Sequence, residues 1–100
     1  MILTAVFIAP IVEETVYRGV LRLFIKNDKL FIIISAIIFG LSHSIIETNI
    51  TNVIFMSIPY AIVGGTLARM YVKTNNLTVN ITCHAFYNII AIILGLIIKV

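Results

Sequence analysis

The chain has 100 residues, of which 61% are hydrophobic and 11% are charged, and its formal net charge is +3. A typical soluble domain has about 45–50% apolar and about 25% charged residues, so this composition excludes an ordinary soluble domain and indicates a membrane protein. The basic residues are grouped in short segments between apolar stretches, which is typical of membrane-protein loops and argues against a nucleic-acid partner.

Long uncharged stretches predict the fold class. Residues without Asp, Glu, Lys or Arg fill the ranges 30–46, 48–68 and 74–98. About 17–25 apolar residues cross a bilayer, and such segments must be helical because lipid offers no partner for backbone polar groups. We therefore predict an all-α integral membrane bundle of four transmembrane helices, in one domain over residues 1–100. The predicted helices occupy residues 2–24, 30–46, 50–71 and 78–98.

The first predicted helix carries three ionisable residues, Glu13, Glu14 and Arg18, in an otherwise apolar segment. A charged side chain near the centre of a membrane helix costs roughly 2.5–3.5 kcal/mol, so each of them needs a partner or a function. Glu14 and Arg18 are four residues apart, which places them on one helix face where they can pair. Glu13 points about 100° away and has no partner on its own helix. A carboxylate in that setting is a candidate general base.

Two later segments carry the remaining polar groups of interest. His84 and Asn88 are also four residues apart, so one helix face presents an imidazole and an amide, which together suit the stabilisation of an oxyanion. His43 follows Phe39 by the same spacing in the second predicted helix. Each polar residue alone could be a helix-packing residue, but their combination with Glu13 indicates a functional site.

Small residues predict where helices approach closely. Ala36 and Gly40 lie four residues apart in the second predicted helix, and Gly64 and Gly65 are adjacent in the third. Small side chains at such positions let the backbones of membrane helices come together. We interpret Pro59 and Tyr60, which precede the glycine pair, as packing residues as well.

Three short motifs resemble those of the CPBP family, which contains the CAAX prenyl proteases and the bacterial Abi proteins. They read Glu-Glu-Thr-Val-Tyr-Arg (13–18), Phe-Gly-Leu-Ser-His (39–43) and His-Ala-Phe-Tyr-Asn (84–88), against the family patterns Glu-Glu-x-x-x-Arg, Phe-x-x-x-His and His-x-x-x-Asn. Each motif alone is weak, but their order and their membrane positions make the resemblance specific, and it covers nearly the whole chain.

The resemblance implies an intramembrane endopeptidase of the glutamate type that needs no cofactor. Glu13 would activate the attacking water, and His43 would help to hold it. His84 and Asn88 would line the oxyanion site, and Glu14 and Arg18 would support it. The expected partners are the lipid bilayer and a peptide or prenylated-peptide substrate. The Ile- and Asn-rich composition suggests a bacterial cell membrane, where the family is linked to peptide processing and bacteriocin self-immunity.

Two other functions remain open from the sequence. Glu13, His43 and His84 could instead bind zinc, the ligand types of a zinc hydrolase, although the His-Glu-x-x-His pattern is absent. His43 and Glu47, four residues apart, could also join a site. Alternatively, the chain could be a membrane immunity or partner-binding protein that is not an enzyme.

The residue counts raise one difficulty for a site that needs both histidines. At 1.5 Å per residue, His43 lies about 20 Å and His84 about 9 Å from the starts of their predicted helices. If both helices start at the same membrane face, the imidazoles differ in depth by roughly 10 Å. Helix tilt or a deeper helix start would be needed to bring them together.

Overall fold

The computed structural model describes residues 3–45 and 49–98, which are mainly helical and contain no strand. The first helix, α1, runs continuously over residues 4–24 and alternates between π-helical and α-helical segments, namely Thr4–Ile8, Ala9–Glu14, Thr15–Val20 and Leu21–Phe24. It is followed by α2 (Asp28–Ser42), α3 (Ile50–Thr74) and α4 (Leu77–Ile98). The predicted all-α class is confirmed.

The ends of α2 differ from the predicted range 30–46. The helix begins at Asp28 because the side chain of Asn27 accepts a hydrogen bond from the backbone N–H of Leu30, as a helix N-cap does. It ends at Ser42, four residues before the predicted end, where the Ser44 N–H bonds the carbonyl of Leu41. Bonds of this tighter spacing close a helix by satisfying its last carbonyls. The apolar run continues to residue 46, so hydropathy alone placed the end too late.

Two helices are long and apolar enough to cross a membrane by length and composition, among the residues that the structure describes. They are α3, with 25 residues, and α4, with 22. The 15 residues of α2 measure about 22 Å at 1.5 Å per residue, less than the roughly 30 Å of a bilayer core. Helix α3 extends three residues beyond its predicted end and stops at Asn75, whose left-handed backbone (φ 50°) terminates it.

Close packing joins α2 to α3, as the small residues predicted. A Cβ atom placed on Gly40 would lie 2.7 Å from the backbone oxygen of Ser57. One placed on Gly64 would lie 2.8 Å from the Cβ atom of Phe39. The glycines therefore let the backbone of each helix approach the other, and this contact fixes the end of α2 that carries His43.

Several polar side chains are buried inside the bundle, whereas many large apolar side chains lie on its surface. Fully or almost fully buried polar residues include Glu14, Arg18, Asn80 and His84. Large apolar side chains are exposed along every helix, such as Phe55 on α3, which is 69% exposed. Buried charged groups together with many exposed large apolar side chains are unusual in a soluble protein and fit a surface that faces lipid.

Candidate active site

Glu14 is fully buried, and both of its carboxylate oxygens are bonded. Its Oε1 lies 3.3 Å from Arg18 Nε, so the predicted ion pair is confirmed. The same oxygen accepts a hydrogen bond of 3.0 Å from Asn80 Nδ2. Its Oε2 lies 2.6 Å from His84 Nδ1. Glu14 therefore joins α1 to α4 and is fully occupied by these partners.

Arg18 extends this network to the other helices. Its Nη2 donates a hydrogen bond of 2.7 Å to the backbone oxygen of Gly64 in α3. Its guanidinium also lies 4.9 Å from the centre of the Phe39 ring of α2, a cation–π distance. These contacts and Glu14 together reduce the cost of burying the charge, although Nε and Nη1 form no hydrogen bond within the described residues, and they support a structural role for Arg18.

Glu13 has a different environment from its neighbour. Its side chain is 27% exposed, and its Oε1 lies 3.3 Å from His43 Nε2 and 3.4 Å from His84 Nε2. Glu13 thus has no partner on its own helix, as predicted, and meets two imidazoles from other helices. One carboxylate oxygen is the point at which α1, α2 and α4 converge.

His43 is oriented by its own helix and by α3. Its Nδ1 lies 2.8 Å from the carbonyl oxygen of Phe39, which can only accept, so Nδ1 carries a proton and Nε2 faces Glu13. The ring stacks on Tyr60, with centroids 4.9 Å apart and an interplanar angle of 26°. The Ser42 hydroxyl lies 3.3 Å from the same Nδ1. Tyr60, interpreted from the sequence as a packing residue, therefore packs on a site residue.

His84 lies between the two carboxylates. It is 2% exposed, its Nδ1 faces Glu14 and its Nε2 faces Glu13. An ionised carboxylate accepts hydrogen bonds only, so the contact with Glu14 places a proton on Nδ1. His84 can then donate from Nε2 only when it is doubly protonated.

Asn88 is half-buried one turn after His84. Its Nδ2 donates a hydrogen bond of 2.7 Å to the carbonyl oxygen of Ala5 and so attaches α4 to the start of α1. The amide nitrogen carries two hydrogens, so one donor remains for another group.

A cavity of about 330 Å³ connects these residues, and all four predicted catalytic side chains contribute to its wall. The lining residues are Ala5, Ala9, Glu13, Phe39, His43, Tyr60, His84, Tyr87, Asn88, Ala91 and Ile92. The depth difference that residue counts gave for the two histidines is absent, because both imidazoles contact the same oxygen of Glu13. The assumption that α2 and α4 start at one level and run upright is therefore wrong.

The metal alternative requires Glu13, His43 and His84 as ligands. The described residues hold no group of three or more His, Cys, Asp or Glu side chains placed to bind a metal ion. Glu47, the other candidate, lies outside the described residues.

Sequence reasoning missed Asn80, whose amide contacts Glu14 directly. The signal was present, because Asn80, His84 and Asn88 recur every four residues and share one face of α4. The local pattern, however, does not indicate that this face packs against Glu14, which lies in α1, more than 60 residues earlier in the chain.

Comparisons with known proteins give a family match. The model of the type II CAAX prenyl endopeptidase Rce1-like family matches residues 1–90. The chain is 38% identical over 96 residues to a protein of Mycoplasma capricolum subsp. capricolum that is named only as uncharacterized, and 26% identical over 98 residues to the UPF0177 protein YvdC of Lactococcus lactis subsp. lactis.

These alignments cover 93% and 96% of this chain but only 26% and 35% of the two relatives. The chain thus spans about a quarter to a third of the length of the curated relatives that it matches. No solved structure matches it.

Proposed function

The chain belongs to the type II CAAX prenyl endopeptidase Rce1-like family, and from this membership we propose that it is an intramembrane endopeptidase of the glutamate type, with Glu13 as general base. The family consists of membrane peptidases, which agrees with the apolar exterior of the bundle. The residue roles, the substrate and the cellular setting given below are parts of this proposal.

The observation that carries the proposal is the contrast between two adjacent carboxylates. Glu14 is completely buried and bonded at both oxygens. Glu13 is partly exposed, faces two imidazoles and borders a cavity of about 330 Å³. A general base must reach both the proton it removes and the space where the substrate binds. Of the two residues, only Glu13 meets that requirement.

In the proposed reaction, Glu13 and His43 hold a water molecule in the cavity. Glu13 removes a proton from the water, and the oxygen of the water forms a bond to the carbonyl carbon of the peptide. The π electrons of the carbonyl move onto its oxygen. When this tetrahedral intermediate collapses, the C–N bond breaks and Glu13 returns the proton to the leaving nitrogen. The base is thereby regenerated, and the products are a carboxylic acid and an amine.

Asn88 and His84 are the donors that this mechanism assigns to the oxyanion. Asn88 has an N–H left after its bond to Ala5, and His84 can donate from Nε2 as an imidazolium. Donors held in place by other bonds are effective because they need not reorganise as charge develops. Their own contacts, to Ala5 and to Glu14, supply that rigidity.

The proposed substrate is a peptide, with or without a prenyl group, that reaches the site at the membrane. The open, apolar part of the cavity wall, which includes Ala9, Ala91 and Ile92, suits an apolar segment of such a peptide. We assign the protein to a bacterial cell membrane, because both relatives are bacterial, with peptide processing or bacteriocin self-immunity as its role.

The test is cleavage by the purified chain reconstituted in liposomes. A library of membrane-anchored peptides is incubated with the wild type and with Glu13→Gln, and the products are identified by mass spectrometry. Thr82→Ala, an exposed position on α4, is the matched control. We expect cleavage by the wild type and the control but not by Glu13→Gln. Equal cleavage by all three proteins would contradict the proposal.

A further inference from the structure

Asn80 is a buried amide that the proposed mechanism does not use. It lies on α4, four residues before His84, and is 0% exposed. Its Nδ2 donates to Glu14 Oε1 at 3.0 Å and to the backbone oxygen of Leu67 at 2.8 Å. Both neighbours are acceptors, which identifies this atom as the amide nitrogen, and its two hydrogens are both used.

The other end of the same amide has no partner. Asn80 Oδ1 is buried and forms no hydrogen bond within the described part of the chain. An unsatisfied buried acceptor costs free energy. The carbonyl end of this asparagine therefore does not explain why the residue is at this position. The structure uses only the two donors, and one of them is directed at the carboxylate that holds His84.

From these contacts we infer that Asn80 is a positioning residue that, through Glu14, holds His84 in the form protonated at Nδ1. Asn80 and Arg18 fix Oε1 of the carboxylate, which leaves Oε2 directed at His84 Nδ1. With the carboxylate held in this way, the Nδ1 proton stays in place and Nε2 faces Glu13 and the cavity. Asn80 thus sets which ring nitrogen of His84 is available to the site.

The role in peptide cleavage rests on the proposed function, whereas the effect on His84 does not. A residue that only joined helices would change stability and leave the protonation of His84 as it was. Ser35 provides the control for a residue that only joins helices. It is 0% exposed, and its hydroxyl donates a hydrogen bond to the Tyr17 carbonyl. This bond joins α2 to α1 and does not involve His84. Ser35→Ala removes a buried contact of the joining type.

The experiment is nitrogen NMR of the full chain, labelled at histidine and reconstituted in lipid nanodiscs. The chain has two histidines, so His43→Gln identifies the His84 signals. In the wild type and in Ser35→Ala, we expect His84 to be protonated at Nδ1. In Asn80→Ala we expect that single form to be lost in favour of a mixture that includes the neutral form protonated at Nε2. Asn80→Ser is the second variant, because its shorter hydroxyl bonds its own helix instead of Glu14.

His84 protonated only at Nε2 in the wild type would overturn the inference whether or not the variants fold. Unchanged His84 signals in a folded Asn80 variant would overturn it too.

Cleavage kinetics separate this inference from the proposed function. If the protein cleaves peptides, we expect Asn80→Ala to lower kcat by about 10- to 100-fold with a smaller change in KM, which is the size of effect of outer hydrogen bonds that orient metal-bound histidines. If the wild type cleaves nothing while His84 still depends on Asn80, the proposed function fails and the positioning role stands. If Asn80→Ala leaves both kcat and the His84 signals unchanged, the positioning role fails and the proposed function stands.

Discussion

Replacing Glu14 by Gln should damage the stability of the protein far more than the same change at Glu13. Glu14 and Arg18 are both 0% exposed and pair at 3.3 Å, so the substitution leaves a buried guanidinium without its counter-charge. Removing one partner of a buried ion pair costs about 3–5 kcal/mol. Arg18 keeps its bond to the Gly64 carbonyl and its contact with the Phe39 ring, so we expect a loss of about 3 kcal/mol, at the lower end of this range.

Glu13→Gln is the matched control for this prediction. Its side chain is 27% exposed, and no Arg or Lys side chain forms an ion pair with it in the described part of the chain. We therefore expect a change in unfolding free energy of about 1 kcal/mol or less, the range of partly exposed pairs. Equilibrium unfolding in mixed micelles of increasing SDS content, followed by circular dichroism, measures both variants against the wild type.

A double variant tests the physical reason as well as the magnitude. Exchanging a whole buried ion pair for apolar residues is often neutral, whereas breaking it is costly. The combination of Glu14→Gln with Arg18→Met should therefore be more stable than Glu14→Gln alone. The reasoning would be refuted by a Glu14→Gln variant as stable as Glu13→Gln, or by a double variant in which the two losses simply add.

Further predictions concern packing, the orientation of one histidine and the role of metal. Gly40→Ala should lower the free energy of unfolding by about 1–3 kcal/mol, because its Cβ would meet the Ser57 backbone oxygen. At Gly95 a Cβ would meet no other part of the described chain within 4 Å beyond its own helix backbone, so Gly95→Ala should leave stability equal or improved in the same titration. Tyr60→Leu should lower kcat more than it lowers stability, since it removes the ring that stacks on His43; unchanged kcat would count against that role. Prolonged incubation with a chelator should leave peptide cleavage unaffected, and a loss that added zinc restores would favour the metal alternative.

The parts of this site that the residues alone predicted, without the family resemblance, are those that depend on spacing within one helix. Glu14 and Arg18 are four residues apart, so their pairing follows from helical geometry alone. The isolation of Glu13 on its own helix follows from the same geometry. The partners that Glu13 gained, His43 and His84, depend on how three helices are staggered, which no local pattern encodes.

One predicted helix end was wrong, and two other features depended on contacts between helices. The predicted end of α2 at residue 46 followed hydropathy, whereas the helix ends at Ser42 through backbone and hydroxyl bonds that hydropathy does not report. The depth difference between the two histidines assumed straight helices that begin at one level. Asn80 was missed for a related reason, since its partner Glu14 lies 66 residues away in the chain.

The central claim is that Glu13 is the base of a peptidase, and a graded series at this position tests it most directly. Cleavage of one peptide by wild type, Glu13→Asp and Glu13→Gln is compared in the same liposomes, with folding checked by circular dichroism. Loss of a general base typically lowers the rate by about 10²–10⁴-fold, so we expect that reduction in kcat for Glu13→Gln. Glu13→Asp, which keeps the carboxylate but shortens its reach, should fall between the two. A Glu13→Gln variant that cleaves at the wild-type rate would contradict the claim.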